Sequence, residues 1–314
     1  MLKHALCTLV VAIAAFLSGL ACALWGDALL HRRSLDVTPV PAPHTTPVPH
    51  AEPAAAECCW VDLRIEWQLR APPRLCARCT NDALSNVVRA EGKWPDCDDL
   101  LVLLRGHLPE GGGVFVDVGA NIGACTLTVA GQGFETHAFE PQPDNLRHLR
   151  ASIGSLSMVH LHAVALGEAS GGATIYRQEG NAGNSVVGVA HPDDPTSATD
   201  RAAMLRNAAA VEVRTLDEEL PGTPNILLMK LDVQGFEVKV LRGARRLLAA
   251  GAIAAIKTEL APAFLEAQGS SQRELCQLLL SEGFTLHQHP HGPAVSVVVC
   301  AHMRGDLYAL KKRA

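Results

Sequence analysis

The chain has 314 residues, of which 48% are hydrophobic and 19% are charged. This composition excludes a disordered acidic chain and supplies enough apolar residues for a sizeable core. The formal net charge is −5, and the aromatic residues are only seven Phe, four Trp and two Tyr. A chain of this kind has neither the basic stripe nor the stacking surface of a sequence-independent nucleic-acid binder. We therefore expect no nucleic-acid partner.

Residues 1–33 contain a long apolar run. It extends from Ala5 to Gly26 without a charge or a proline. As a helix with a rise of about 1.5 Å per residue, it is long enough to cross a hydrocarbon core of about 30 Å. We interpret it as a signal-anchor, a transmembrane helix that makes the protein single-pass in a membrane of the secretory pathway. Ala21-Cys22-Ala23 matches a signal-peptidase site, so cleavage and secretion are the alternative.

Residues 34–56 form a proline-rich stem. Proline removes a backbone donor and holds φ near −65°, so a run this rich predicts an extended, disordered spacer. The prolines are Pro39, Pro41, Pro43, Pro47, Pro49 and Pro53. An anchor, a stem and then a globular part is the layout of type II membrane enzymes.

Residues 57–110 form a cysteine-bearing neck that ends in a predicted helix beginning at Asp98-Asp99. Cys76 and Cys79 have the C-x-x-C spacing of a zinc or redox site, but a complete zinc site needs a second pair. Disulfides, a zinc site and free thiols therefore stay open, and the spacing does not determine a connectivity. The cysteines concerned are Cys58, Cys59, Cys76, Cys79 and Cys97.

Residues 111–314 open with a strand, a glycine turn and a helix. The strand Val114–Val118 precedes Gly119 and Gly123, and a second strand over 135–139 ends at Glu140. A glycine turn lets backbone N–H groups approach a ligand, and an acid after the second strand can accept both hydroxyls of a ribose. The pattern predicts a nucleoside site. The alternative is a plain tight turn, with Glu140 capping the next helix.

The residues around this turn indicate which nucleoside binds. The dinucleotide pattern G-x-G-x-x-G is broken, because Asn121 and Ala124 stand where its second and third glycines belong. Asp117, just before the turn, would repel a pyrophosphate and would suit an ammonium group. S-adenosylmethionine has an ammonium and a sulfonium and no phosphate, so we expect it as the cofactor. An NAD(P)-dependent oxidoreductase is the less favoured alternative.

Three motifs in order carry a family resemblance. V-D-V-G-A-N-I-G, A-F-E-P and L-M-K-L-D-V-Q-G-F-E-V-K-V-L-R-G-A resemble the FkbM family of S-adenosylmethionine-dependent methyltransferases, over about residues 111–312. The resemblance implies O-methylation of a hydroxyl on a glycan, a lipid headgroup or a small metabolite. It implies that the cofactor-binding residues are Asp117, Gly119, Asn121, Gly123, Glu140, Pro141 and Val164. Gln234 stands where the family often has an acid, so a catalytically inactive nucleoside-binding module is a further alternative.

Polar residues at the ends of two later strands are the catalytic candidates. Lys230 and Asp232 end a strand over 226–231, and Glu259 ends one over 254–259. Ligands of open α/β sheets bind at the carboxyl ends of the strands, so these side chains should meet there. We expect Asp232 or Glu259 to act as a base or to orient the acceptor, and we expect no metal. The alternatives are a helix cap for Asp232 and a salt bridge for Glu259.

The predicted fold class is α/β: a class I Rossmann-like methyltransferase fold, whose mostly parallel seven-stranded sheet has helices on both faces. One of the last two strands should be antiparallel. Residues 178–210 are interpreted as a surface insertion or a flap over the acceptor, His160 and His162 as sharing one strand face, and Cys125 as buried core. Strands are expected near 114–118, 135–139, 158–162, 226–231, 254–259, 284–288 and 306–310, and helices at 121–131, 143–152, 236–249 and 270–282.

Overall fold

The computed structural model describes residues 56–64, 72–106, 113–154, 156–177, 183, 185–188, 208–222 and 224–311. All of these lie in one unit, Pro53–Ala314. The predicted transmembrane segment, the stem up to residue 55 and most of residues 178–210 lie outside the described residues, so those predictions remain predictions. Within the described ranges, no helix has the length and apolar character needed to cross a membrane.

A mostly parallel sheet forms the centre of the described unit. All seven predicted strands are confirmed, and an eighth, a short edge strand, was not predicted. The strand Gly305–Lys311 (β14) runs antiparallel to both of its neighbours, as expected for one of the last two strands. From edge to edge, with numbering in chain order, the strands are Ala294–Val295 (β13), Phe284–His287 (β12), Gly305–Lys311 (β14), Ala255–Leu260 (β11), Ile226–Leu231 (β10), Val114–Val118 (β3), Glu135–Phe139 (β4) and Val159–His162 (β5).

The central strands are apolar on both faces. In β3 every residue is buried, as is typical of parallel strands covered by helices on both sides. The register places Lys230 of β10 beside Asp117 of β3 and beside Lys257 of β11. Charged residues of three neighbouring strands therefore lie at the same level near the carboxyl edge of the sheet.

Helices cover both faces of this sheet, and one differs from its prediction. The helix expected over 236–249 is two helices, interrupted at Gly243. A Cβ at Gly243 would lie 2.0 Å from the carbonyl oxygen of Gly167, so the chain passes another backbone closely at this point. The helices are Ala83–Glu91 (α1), Asp96–Gly106 (α2), Ala124–Ala130 (α3), Pro143–Ile153 (α4), Leu216–Glu219 (α5), Glu237–Arg242 (α6), Arg245–Ala249 (α7), Pro262–Ala267 (α8), Gln272–Ser281 (α9) and Val297–Cys300 (α10).

A second sheet of four strands stands beside the first and was not predicted. Two of its strands, Val186–Val187 (β8) and Ala208–Arg214 (β9), begin inside residues 178–210. That region therefore contributes to a sheet and is not only a surface loop. Ile175, Val187 and Val213 of this sheet pack with Phe236 in a small apolar cluster. The strands, in sheet order, are Ala165–Leu166 (β6), Ala208–Arg214 (β9), Gly171–Tyr176 (β7) and Val186–Val187 (β8).

The neck is a two-stranded sheet followed by two helices. Strands Cys58–Asp62 (β1) and Arg74–Arg78 (β2) pair antiparallel, and disulfides join Cys58 to Cys76 and Cys59 to Cys79. Leu100, Leu103 and Leu104 of α2 share one apolar core with Phe115 and Leu127 of the methyltransferase-like region. The neck therefore packs against this region through a continuous core.

Two further disulfides involve cysteines that sequence reasoning treated differently. Cys125 is buried, as predicted, but it is bonded to Cys97 and is not a free core thiol. Cys276 and Cys300 form a fourth disulfide between α9 and α10, which was not predicted. Sequence spacing could not pair these residues, because each partner lies on a different element.

Candidate functional site

A cleft of about 280 Å³ opens at the carboxyl ends of β3, β4, β10 and β11. It is the edge at which open α/β sheets bind their ligands. Eight of the predicted site residues line it: Asp117, Gly119, Asn121, Glu140, Pro141, Lys230, Asp232 and Glu259. The structure thus brings together candidates from four separate strands.

Two predicted cofactor residues do not line this cleft. Gly123 instead begins helix α3, where a Cβ would lie 2.6 Å from Leu149 Cδ1. Val164 lines a small, mostly apolar pocket next to the cleft, and Gly119, Pro141, Val187 and Val233 line both. The resemblance placed Val164 by motif position alone.

The glycine turn is held in a conformation that needs small or tolerant residues. Gly119, Asn121 and Gly123 have φ values of 85°, 53° and 98°, in the left-handed region. At Gly119 a Cβ would lie 1.9 Å from the carbonyl oxygen of Asp232, so any side chain there would collide with the backbone after β10. The turn therefore passes close to the loop that carries a catalytic candidate.

Glu140 stabilises this turn from β4. Its Oε2 accepts a hydrogen bond from the Asn121 N–H at 2.8 Å, and its Oε1 accepts from the Gln142 N–H at 2.9 Å. Burial raises the pKa of Glu140, although these hydrogen bonds oppose the shift. The predicted ribose-binding acid therefore lines the cleft and is held in place by the backbone around it.

Lys230 lies beneath the turn between two carboxylates. Its Nζ donates to the Gly119 carbonyl at 3.1 Å and is 3.5 Å from Asp117 Oδ1 and 3.4 Å from Asp232 Oδ2. Burial acts against the charge, but Asp232 and Asp117 outweigh it and raise the pKa of Lys230. Lys230 is therefore a cation, which can orient groups but cannot accept a proton at neutral pH.

Asp117 is fully buried and has one oxygen without a hydrogen-bond partner. Its Oδ2 accepts from the Thr126 hydroxyl at 2.6 Å, while Oδ1 has no hydrogen-bond partner among the described residues. The ammonium group of Lys230, 3.5 Å from Oδ1, compensates part of the cost of burying this oxygen. Asp117 lines the cleft, so a bound molecule can supply the hydrogen-bond donor that Oδ1 lacks.

Gln234 holds Asp232 in position. Its side-chain amide donates to Asp232 Oδ1 at 2.8 Å, and its backbone has a φ of 50°. An ionised glutamate at this position could not donate that bond and would repel Asp232. The departure from the family pattern thus has a structural role next to the catalytic candidate, which weakens the case for an inactive module.

The outer part of the cleft is acidic. Partial burial, then the negative charges of Asp232, Asp306 and Asp96, raise the pKa of Glu259. Lys257 Nζ pairs with Asp306 Oδ2 at 2.9 Å and so does not neutralise Glu259 on its own. A carboxylate with a raised pKa is a stronger base than an ordinary glutamate, which suits proton removal.

Residues of the neck form one wall of the cleft, which sequence reasoning missed. Trp94 and Asp96 lie just before Cys97, whose disulfide to Cys125 joins the neck to helix α3. No motif marks these residues, since they precede the family resemblance. Ala83 and Leu84 line the cleft with them.

Residues of the second sheet and of the connection before β8 also line the cleft. They are Ile175, Gly183, Ser185 and Val187. Ser185 belongs to residues 178–210, so part of that region contributes to the lining of the cleft.

Comparison with known proteins assigns the region to a family. A family model described as the methyltransferase FkbM domain matches residues 117–286, more than half of the chain. No curated protein matches the chain significantly.

Several solved structures resemble the chain at low identity. An FkbM methyltransferase from Methylobacillus flagellatus KT is 20% identical with a TM-score of 0.39, and the match covers 65% of this chain and 45% of that one. A precorrin-6y C5,15-methyltransferase from Geobacter metallireducens GS-15 is 11% identical with a TM-score of 0.34, over 67% and 87% of the two chains. The magnesium protoporphyrin IX methyltransferase of Synechocystis PCC 6803, with bound SAH, is 11% identical with a TM-score of 0.37, over 74% and 89%. The chain thus spans less than half the length of the first of these relatives, and likeness at this level carries no argument about the reaction.

Proposed function

The chain belongs to the FkbM methyltransferase family, and from this premise we propose that it transfers a methyl group from S-adenosylmethionine to a hydroxyl group. The acceptor is a glycan, a lipid headgroup or a small metabolite. The observation that carries the proposal is the juxtaposition, in one cleft, of the glycine turn, the ribose-binding candidate Glu140 and the carboxylates Asp232 and Glu259.

The inner part of the cleft fits the proposed cofactor. The Oδ1 of Asp117 has an ion-pair partner in Lys230 but no hydrogen-bond donor among the described residues, so it can still accept from an ammonium group. Because Gly119 has no side chain, the turn can lie against the Asp232 carbonyl. Glu140 lies at the end of β4, where it can accept from ribose hydroxyls. When bound, S-adenosylmethionine supplies a methyl group on a positively charged sulfur, and the acidic lining favours that charge.

The outer, acidic part of the cleft receives the acceptor. An acceptor hydroxyl must lie in line with the methyl carbon and the sulfur, so most of the work is positioning. Asp232, held by Lys230 and Gln234, accepts a hydrogen bond from the hydroxyl and orients it. Glu259, with its raised pKa, takes the proton as the new oxygen–carbon bond forms.

Lys230 serves as a positioning residue in this scheme. Its ammonium group pairs with Asp232 Oδ2 at 3.4 Å and donates to the Gly119 carbonyl, so it links the acceptor side to the cofactor side. Its raised pKa keeps it protonated throughout the reaction.

The test is transfer of radiolabelled methyl groups from S-adenosylmethionine to glycan and lipid extracts. We expect the wild type to label one fraction, Asp232→Ala to abolish labelling, and Glu259→Gln to lower kcat by about 10²–10⁴-fold. Both variants should bind S-adenosylhomocysteine as the wild type does. Cofactor binding without transfer to any fraction would favour the inactive module.

A second binding experiment addresses the oxidoreductase alternative. Titration of the same protein with S-adenosylhomocysteine and with NADH should show tight binding of the first alone. The carboxylate of Asp117 next to the turn should exclude a pyrophosphate, so tighter binding of NADH would contradict the proposal.

A further inference from the structure

A cluster of histidines and glutamates lies on the edge of the main sheet, at the end of β4 opposite Glu140. His137 of β4 pairs in register with His160 of β5, so both side chains lie on one face of the sheet. Glu135 lies two residues before His137 and shares that face, because side chains alternate along a strand. The mechanism proposed above uses none of these residues.

The three side chains bring ligand atoms together in a metal-binding arrangement. One ligand atom from each of Glu135, His137 and His160 lies within 4.8 Å of the others. The Oε1 of Glu135 is 3.1 Å from His160 Nε2 and 3.9 Å from His137 Nε2. Tetrahedral ligands at about 2.0–2.1 Å from Zn²⁺ stand about 3.3 Å apart, so a small adjustment would close the site.

A series of hydrogen bonds behind the cluster positions the His137 ring with its Nε2 on the side of Glu135. The Nδ1 of His162 is 2.7 Å from the Glu219 carboxylate and must therefore donate to it. The other nitrogen of His162, Nε2, is 3.0 Å from His137 Nδ1 and can accept from it. When His137 donates from Nδ1 in this way, the lone pair of its Nε2 is available on the side of Glu135, whose Oε1 is 3.9 Å away.

The series of hydrogen bonds from His137 through His162 to Glu219 resembles the contacts that support the ligands of many metal sites. Metal-binding histidines usually donate their second N–H to a carboxylate, a carbonyl or a further acceptor, which holds the ring and increases its basicity. Here His162 lies between His137 Nδ1 and the Glu219 carboxylate and can serve as that acceptor.

We propose that Glu135, His137 and His160 bind a divalent transition-metal ion, for which Zn²⁺ is the best match. The two imidazole nitrogens are borderline-soft donors, and the carboxylate oxygen is a hard donor. This set suits Zn²⁺ better than Ca²⁺ or Mg²⁺. Half of the Glu135 and His160 side-chain surface is exposed, at 54% and 46%, so an ion can reach the site and keep a water ligand. The ion would join β4 to the edge strand β5.

The experiment is calorimetric titration of the full-length, tag-free protein with Zn²⁺, in detergent and after free thiols are blocked. We expect one equivalent to bind, with affinity at least tenfold weaker in Glu135→Gln and in His160→Gln. Both residues are largely exposed, so these variants should fold and should keep the wild-type unfolding midpoint without metal. With Zn²⁺ the midpoint should rise in the wild type and in neither of these two variants.

A matched control uses the other histidine-rich place in the chain. His289 and His291 are exposed in the loop between β12 and β13, so His289→Gln/His291→Gln tests whether zinc binds there. We expect that double variant to bind Zn²⁺ as the wild type does. The proposal is overturned if the wild type binds no Zn²⁺, if the cluster variants keep full affinity, or if the loop variant alone loses it.

Discussion

At the scale of single residues, Gly119 and Gln234 determine how closely the two loops of the cleft approach each other. Gly119 has no side chain where the Asp232 carbonyl passes, and Gln234 donates to the Asp232 side chain. A substitution at either position would therefore affect Asp232 indirectly, without replacing that residue. The cleft is therefore sensitive to residues that carry no chemistry of their own.

The substitution Gly119→Ala should destabilise the protein strongly. The new methyl group would lie 1.9 Å from a backbone oxygen, in a conformation with φ of 85°. We expect the free energy of unfolding in urea to fall by about 3 kcal/mol or more. Gly171→Ala is the control, because a Cβ there contacts nothing within 4 Å, and it should change stability by about 0.5 kcal/mol at most. Equal effects of the two changes would contradict the close approach.

The pH dependence of kcat should reveal the environment of Glu259. Glu259 must be deprotonated to act as the base. Because its pKa is raised, activity should be lost on acidification at a higher pH than for a glutamate with an ordinary pKa. Asp96→Asn removes one of the negative charges that raise this pKa, so the acid limb should move to lower pH by less than about one unit. Asp98→Asn, two residues along the same helix, is the control and should leave the limb in place. An unmoved limb in Asp96→Asn would argue that Glu259 is not the base.

At the scale of elements, helix α2 and the loop after β10 shape the cleft. Helix α2 brings Asp96 to its wall and is bonded to helix α3 through Cys97 and Cys125. The loop after β10 carries Asp232 and turns into helix α6 at a buried glutamate, Glu237. Each of these connections can be weakened without altering a residue that contacts substrate.

Replacing Cys97 and Cys125 by serine should weaken acceptor binding as well as stability. The bond closes a loop with a sequence separation of 28, for which the chain-entropy model gives about 3–4 kcal/mol. Because Trp94 and Asp96 precede Cys97, the loosened neck should raise the acceptor KM. Cys276→Ser/Cys300→Ser removes a bond away from the cleft, and it should lower stability while leaving KM unchanged. A rise in KM in both double variants would show a general effect of destabilisation.

Glu237 should make the stability of the protein depend on pH. Burial, with a smaller contribution from Asp232, raises its pKa from 4.5 to about 7, against hydrogen bonds from the N–H groups of Val233 and Gly235. The folded state then binds more protons than the unfolded state between these values, so stability falls as pH rises from about 4.5 to about 7. The full effect is about 3 kcal/mol as an upper figure.

The measurement is urea unfolding of Glu237→Gln and the wild type at pH 5 and pH 8. The amide oxygen of Gln can still accept from both N–H groups but carries no charge, so the variant should gain stability relative to the wild type at the higher pH. Glu266→Gln, at an exposed position of helix α8, should show no such change. A difference that is constant with pH would contradict the assigned burial effect.

At the scale of the whole molecule, we propose that the enzyme is tethered to a membrane of the secretory pathway. The apolar run from Ala5 to Gly26 and the proline-rich stem support this arrangement. Four disulfides among the described residues support it independently, because such bonds persist in oxidising compartments. The acceptor would then be a molecule that reaches the membrane surface.

Fractionation of cells expressing the full chain tests this proposal. We expect the protein to stay with membranes in alkaline carbonate, and a variant without residues 1–33 to be released, because the anchor is then gone. A mature protein beginning at Leu24, found in the medium, would instead show cleavage after Ala23 and secretion.

The sequence by itself determined the positions of seven strands of the main sheet and the edge at which the cleft lies. The glycine turn, Glu140, Lys230, Asp232 and Glu259 all lie at or just after the carboxyl ends of these strands, and parallel strands bring those ends to one edge. Local apolar runs and turn residues were sufficient to locate these strands, because buried parallel strands are apolar throughout. Lys230 beside Asp117 is a consequence of register, which the order of the strands alone did not give.

Only the tertiary structure decided which distant segments complete the site. Trp94 and Asp96 reach the cleft because the neck packs on the same core as β3 and because a disulfide joins Cys97 to Cys125. The second sheet adds another wall, and Val164 lines a neighbouring pocket instead of the cleft. These outcomes depend on contacts between elements far apart in sequence, for which local pattern carries no signal. The sequence thus predicts the part of the cleft formed by the central strands, while packing adds the walls formed by the neck and the second sheet.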